Sequence, residues 1–385
     1  MKRLTVQAVA LAVAISSLAG CDSNAVPVTG STSSSSSVPA GPTNSSSSVI
    51  FAYSADYNDS LIMQYSVDGS SGALGTTPVS STSDAGSTNT VAVNQKENVL
   101  YATEPNANSV SEYNIANTTG TLTHAATIAA GTAPNSITVN ATDTYAYVVN
   151  RTSGDVYEYS INPNTGLLSQ FASISTGGTA PLFLTINPAG TYAYVANTSS
   201  GSIAVFSINS TTGALTAVSG SPFSASSAYS VTINPAGTFA YVPTFGGNTV
   251  SVYSINASTG GIGAAITNSP FASGTSTRDI EFTPTGTFAY AVNGGNGSNN
   301  SGTVTEYSVN TTTGALTSIG TVTGVGDYSN SISINAAGTV AYVVNNWGPA
   351  VSEYSINGTT GLLTALGSVP LAGGTTANSI AFAQE

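Results

Sequence analysis

From residue 49 onward, apolar positions come in short bursts of four to eight residues, rich in Val, Ile, Tyr and Phe, each closed by Gly, Asn, Pro or Thr. Segments of that length and type, without a sustained helical period, predict strands and turns rather than helices. In one stretch the pattern resolves into four strands at 136–140, 145–150, 156–161 and 167–174. Aligned on a tyrosine of the second strand, it recurs at Tyr53, Tyr101, Tyr147, Tyr194, Tyr241, Tyr290 and Tyr342, at spacings of 46 to 52 residues. A turn glycine downstream, at Gly72, Gly120, Gly166, Gly213, Gly260, Gly314 and Gly361, independently returns the same seven copies. A repeat of this length holding four short strands predicts a propeller blade. The expected fold is therefore all-β, a seven-bladed β-propeller of four-stranded blades.

The chain enters its first repeat at the second strand and ends on an unpaired first-strand sequence, Asn378-Ser379-Ile380-Ala381-Phe382-Ala383. Pairing that segment with 49–54 would complete blade one and close the ring without leaving a long open edge. Asn-Pro-Ala-Gly at 187–190 and 234–237, and Asn-x-x-Thr-Gly at 209–213, predict turns whose glycine takes positive φ.

Ahead of the repeats the pattern changes. Residues 1–21 have a basic start at Lys2 and Arg3, an apolar run too short to span a bilayer, and small residues before Cys21. That is the form of an export signal. Leu18-Ala19-Gly20-Cys21 resembles the lipobox of bacterial lipoproteins, which implies cleavage before Cys21 and acylation of that residue. Cys21 is the single cysteine, so neither a disulfide nor a thiolate metal site competes for it. Residues 22–48, dominated by Ser, predict a flexible tether with a mean reach on the order of 30 Å. The domain plan is thus a signal at 1–21, a tether at 22–48 and a propeller at 49–385. Its expected place is the cell envelope, held at a membrane through lipid on Cys21.

Charge narrows the chemistry. The chain carries 17 acidic and 5 basic residues, for a net charge of −12. Clustered Lys and Arg are missing, which argues against nucleic acid as a partner, and long-range repulsion disfavours anionic substrates. Beyond Lys2 and Arg3 the cations are Lys96, Arg151 and Arg278. The lone histidine, His124, falls in an outermost strand, so no Ser-His-Asp triad or histidine-based metal centre is expected. Glu112, Glu158, Glu306 and Glu353 share one position in the third strand and are expected to make local hydrogen bonds or face solvent.

Tyr-Val-Ala-Asn at 194–197, Ser-Ile-Ala-Val-Phe-Ser-Ile at 202–208 and Thr-Gly-Ala-Leu-Thr at 212–216 resemble the lactonase family of seven-bladed propellers and the related YVTN-repeat propellers. The resemblance covers 49–385. It implies a basic cluster as the source of activity, with a Pro-Arg-His run entering one innermost strand. The corresponding stretches are Pro134-Asn135-Ser136, Pro181-Leu182-Phe183, Ala228-Tyr229-Ser230, Thr277-Arg278-Asp279 and Tyr328-Ser329-Asn330. Only Arg278 matches, followed by Asp279 rather than histidine, and an Arg278–Asp279 ion pair is expected. Arg151 matches the family's Asn-Arg loop start, three blades away.

The loops between second and third strands share one face with the blade connections, and amides, hydroxyls and glycines dominate them. Aromatic residues there are Tyr57, Phe245 and Trp347, joined by Tyr229 and Tyr328. Trp347, Tyr328 and Arg278 belong to neighbouring blades and are expected to converge on one side of the mouth. Aromatic platforms with amide donors suit uncharged sugars. The candidate ligand-binding residues are therefore Trp347, Tyr328, Arg278, Asp279, Phe245 and Arg151, with no catalytic residue, no metal and no cofactor. The leading expectation is an envelope lipoprotein whose propeller face binds a neutral glycan or an envelope protein without catalysis. The alternative is a lactonase-type hydrolase acting on an uncharged lactone.

Overall fold

The computed structural model describes residues 50–83, 86–94, 96, 98–297, 301–347, 351–370 and 377–383. The export signal, the lipobox cysteine and the tether lie outside the described residues. Among those described, strands form seven antiparallel sheets and no helix appears. In blade three the strands are Pro134–Val139, Tyr145–Asn150, Asp155–Ile161 and Leu168–Ser175, ordered from the axis outward. They match the expected segments to within two residues at either end. Blades four and five differ at the rim: Leu215–Ala217 and Phe223–Ser224 pair separately with Ser202–Ile208, and Ile262–Ala265 and Phe271–Ala272 pair separately with Thr249–Ile255.

Ring closure follows the expectation. Ala377–Ala383 is the innermost strand of blade one and pairs antiparallel with Ile50–Asp56, Phe51 opposite Ala383 and Ser54 opposite Ile380. The apolar core is not one mass but a wedge between each pair of adjacent blades; one such cluster packs Met63 and Tyr65 of blade one against Tyr342 and Val344 of blade seven, with Phe382 of the closing strand. Each wedge buries the faces that a lone twisted sheet would leave wet.

The two sequence landmarks turn out to be partners. In every blade the anchor tyrosine donates its hydroxyl to the carbonyl of the next blade's turn glycine, Tyr53 to Gly120 and onward to Tyr342 to Gly72, at 2.5–2.9 Å. Burial raises the pKa of these tyrosines, so they stay protonated donors. The glycines are required twice over. Gly213 has φ of 73°, and a Cβ there would run into the Tyr145 ring of the preceding blade. Gly190, Gly213 and Gly237 all take the positive φ their turns predict.

A second set of seam contacts corrects the reading of the four glutamates. They are buried and do not face solvent. Each accepts a backbone N–H from the next blade: Glu112 from Leu168, Glu158 from Leu215, Glu306 from Leu363 and Glu353 from Leu74. Burial raises their pKa, that of Glu112 to about 7. In blade one Gln64 holds the equivalent place and donates to the Thr119 carbonyl of blade two.

Candidate functional site

The innermost strands enter the ring through a repeated bend. Ser87, Ala133, Ala180, Ser227, Ser276 and Tyr328 take φ of 51–63°, and two residues after each comes the position that faces the mouth. Around the ring those positions hold Asn378, Asn89, Asn135, Leu182, Tyr229, Arg278 and Asn330, from blade one to blade seven. All seven line a single cavity of about 650 Å³ at the mouth. A second tier comes from the loops after the second strands, including Tyr57, Asn106, Arg151, Thr198, Phe245 and Asn346. The size lies within the range of small-molecule sites.

The lower tier is asymmetric. On one side amides link blade to blade: Asn135 Nδ2 donates to the Leu182 carbonyl, Asn89 Nδ2 to the Asn135 carbonyl, Asn378 Nδ2 to Asn89 Oδ1 and Asn330 Nδ2 to the Asn378 carbonyl. Bonded side chains hold this arc at fixed donor and acceptor positions. On the other side lie Leu182, Phe183, Tyr229 and Phe245. Phe183 tilts against Tyr229 at 6.2 Å, and Phe245 stacks on it at 5.6 Å. The Tyr229 hydroxyl donates to Asn330 Oδ1, bridging the two arcs.

Arg278 stands at the junction. It is 8 % exposed, and its guanidinium carbon lies 5.3 Å from the Tyr328 ring centre, 5.4 Å from Phe245 and 5.8 Å from Tyr229. Three rings hold the cation electrostatically while shielding it from water. Among the described residues its Nε has no hydrogen-bond partner. Gly294 permits this placement, since a Cβ there would meet Nε at 2.8 Å. Tyr328 reaches over the arginine from a left-handed backbone of φ 51°, a strained state for an aromatic residue.

An ion pair of Arg278 with Asp279 was expected from adjacency; the guanidinium is packed among three rings. The register shifts between Thr277 and Asp279, and Asp279 accepts from Ser230 Oγ and the Ile332 backbone N–H. Asp279 is buried outside the cavity lining. Tyr328 and Trp347 meet edge to face at 5.6 Å, so Arg278, Tyr328 and Trp347 do form one cluster. Trp347 stands 56 % exposed above the mouth and is not part of the lining. His124 lies exposed in an outermost strand against Tyr113. Among the described residues no three His, Cys, Asp or Glu side chains gather as a metal site.

Arg151 is the larger surprise. Three blades separate it from Arg278, yet both line the same cavity, because a ring brings distant blades face to face. Both cations bear on the Tyr229 hydroxyl, lowering its pKa against a larger rise from burial; the net direction is up, and the phenol stays protonated. Among the described residues the lining contains no carboxylate and no imidazole. A chain of net charge −12 thus places two of its five basic residues at one cavity. Asn89, Asn135, Leu182, Asn330 and Asn378 were not singled out in the sequence as site residues, although an internal ruler marks the first four, twelve residues before the anchor tyrosine of their blades.

Comparison with known proteins agrees with this architecture. Among solved structures, a putative 6-phosphogluconolactonase from Bacteroides fragilis is 20 % identical with a TM-score of 0.74, over 89 % of this chain and 99 % of that one. A periplasmic gluconolactonase from Pseudomonas aeruginosa is 14 % identical, also at 0.74, over 87 % and 99 %. At such identities the likeness speaks to the fold. Among curated proteins no sequence matches. The family described as "Lactonase, 7-bladed beta-propeller" matches at residues 45–173 and 103–298, which together span most of the blades. The chain belongs to the lactonase family of seven-bladed β-propellers.

Proposed function

We propose that the mouth cavity binds a lactone and hydrolyses it. The observation that carries this reading is the convergence of Arg151 and Arg278 on one cavity in which no carboxylate lines the wall among the described residues. As water adds to a lactone carbonyl, negative charge builds on the carbonyl oxygen; the ring C–O bond then breaks and the ring oxygen leaves as an alcohol. A guanidinium shielded by rings is a strong donor to that charge, because little water competes for it. The amide arc supplies fixed partners for the remaining oxygens of the substrate. Among the described lining residues no side chain accepts a proton near neutral pH, so this reading rests catalysis on charge stabilisation and positioning, and the rate should climb with hydroxide rather than plateau.

The test is acid release from a panel of neutral and phosphorylated lactones, with Arg278→Ala as the control. Loss of the donor should lower kcat/KM by about 10²-fold. Hydrolysis no faster than the spontaneous rate, or equally fast in the variant, would overturn the reading.

A second reading, retention of a neutral glycan or partner protein without turnover, has the exposed Trp347 beside Tyr328 in its favour. It requires oligosaccharide or partner binding that survives Arg278→Ala and fails in Trp347→Ala. The lipobox motif further leads us to propose anchoring in the cell envelope through acylated Cys21, which the mass of the mature N-terminus decides: an unmodified residue downstream of Cys21 excludes it.

A further inference from the structure

The division of the mouth into two arcs bears on which lactone it accepts. A polyhydroxylated sugar lactone would use the amide arc and the arginines but would leave Leu182, Phe183, Tyr229 and Phe245 facing hydroxyls. Those four side chains form a continuous apolar shelf inside the same cavity, with Phe245 still 41 % exposed at its outer edge. A cavity of about 650 Å³ also exceeds what a single lactone ring occupies. Leu182 stands out most plainly, because the same position in blades one, two, three and seven is asparagine.

We propose that the preferred substrates are amphiphilic lactones: a polar ring held at Arg278 and the amide arc, and an alkyl, acyl or aryl substituent laid along the shelf. The inference takes the lactone from the hydrolase reading and the substituent from the shelf. Its energetic basis is the apolar area that the substituent and Phe245 remove from water together, which grows with each methylene until the shelf is covered. Arg278 sits where the two halves meet, under Tyr229 and Phe245. A ring carbonyl at the guanidinium therefore points its substituent onto those rings. Polar groups on the substituent would face aromatic surface and lose their water without replacement, so selection works in both directions.

The experiment reads binding apart from turnover. The purified chain is titrated by calorimetry with a series of lactams, which keep the ring and carbonyl but resist hydrolysis, bearing no substituent, a short alkyl chain or a longer one. In parallel the matching lactones are assayed for kcat/KM. Affinity should rise with chain length, by about tenfold over the first few methylenes, and then level off. Leu182→Asn, which copies the residue of four other blades, should lower the ratio of long-chain to bare affinity about tenfold. Phe245→Ser should lower the same ratio by a route that does not touch the inner strand. Equal affinity across the series, or a ratio unchanged in both variants, overturns the inference whether or not lactones are hydrolysed. Chain-dependent lactam binding without any lactone turnover upholds the shelf and refutes the hydrolase reading alone.

Discussion

At the seams between blades, all seven copies set a tyrosine hydroxyl against a glycine carbonyl of the next blade; at the channel mouth, the same seven copies present four asparagines, a leucine, a tyrosine and an arginine. The two layers are made by neighbouring strands of each blade, the innermost strand supplying the mouth position and the second strand the tyrosine. Each seam carries an identical geometric demand, since every blade must meet its neighbour at the same angle, and repetition answers it. The mouth carries no such repeated demand: its side chains meet the cavity and one another, through bonds that differ from blade to blade. A chemically uneven ring in a repeated scaffold marks where the molecule meets something other than itself.

Breaking the scaffold outright gives the largest effect. Removal of residues 378–385 takes away the strand that completes blade one, exposing the edge of Ile50–Asp56 and the Met63–Tyr342 wedge. Such a chain should lose its cooperative unfolding transition, as followed by circular dichroism against temperature. Next comes a single seam: Gly213→Ala meets both an unfavourable φ and the Tyr145 ring, and should cost at least about 1–3 kcal/mol in chemical denaturation. Tyr147→Phe removes only the hydroxyl that reaches the buried Gly213 carbonyl, for a loss of about 1–3 kcal/mol.

A pH effect separates the layers more finely. Burial holds the Glu112 proton up to about 7 in the folded chain, against an ordinary 4.5. Between those values the folded state binds more protons than the unfolded, so stability is fullest below the window and falls as pH rises through it. Melting temperature measured from pH 4.5 to 7 should slope downward, and Glu112→Gln should flatten part of that slope. The smallest effect on stability belongs to the mouth. Arg278→Met removes a buried cation whose Nε is unpartnered among the described residues and keeps a long apolar stem among the rings, so the melting temperature should equal or exceed that of the parent. A marked drop would move Arg278 from the functional layer to the scaffold.

Much of the scaffold could be read from residue order alone, because strand alternation and turn glycines are local signals. That reading located the anchor tyrosines, the turn glycines and the closing segment at Asn378-Ser379-Ile380. It did not show that Tyr147 and Gly213 bond each other, since the contact joins adjacent blades. The buried glutamates were misjudged for the same reason: their partners lie 56 to 57 residues downstream, or across the ring closure for Glu353. The site was harder. Arg151 and Arg278 come together only through circular geometry, which no linear spacing expresses. Adjacency singled out Asp279 beside Arg278, but it did not show that Asp279 also accepts from Ser230 and Ile332 of the neighbouring blades. The split rims of blades four and five likewise passed unread, although Ser221-Pro222 and Ser269-Pro270 interrupt both outer strands.

The pairing of Phe51 with Ala383 has a mechanical consequence. Ile50–Asp56 is flanked by Leu61–Val67 on one side and Ala377–Ala383 on the other. A pull arriving through the residues before Ile50 therefore runs along a strand bonded on both edges. The load would be taken in shear by two ladders at once instead of unzipping one bond at a time, so the joint that closes the ring also resists being drawn open from its own leading end.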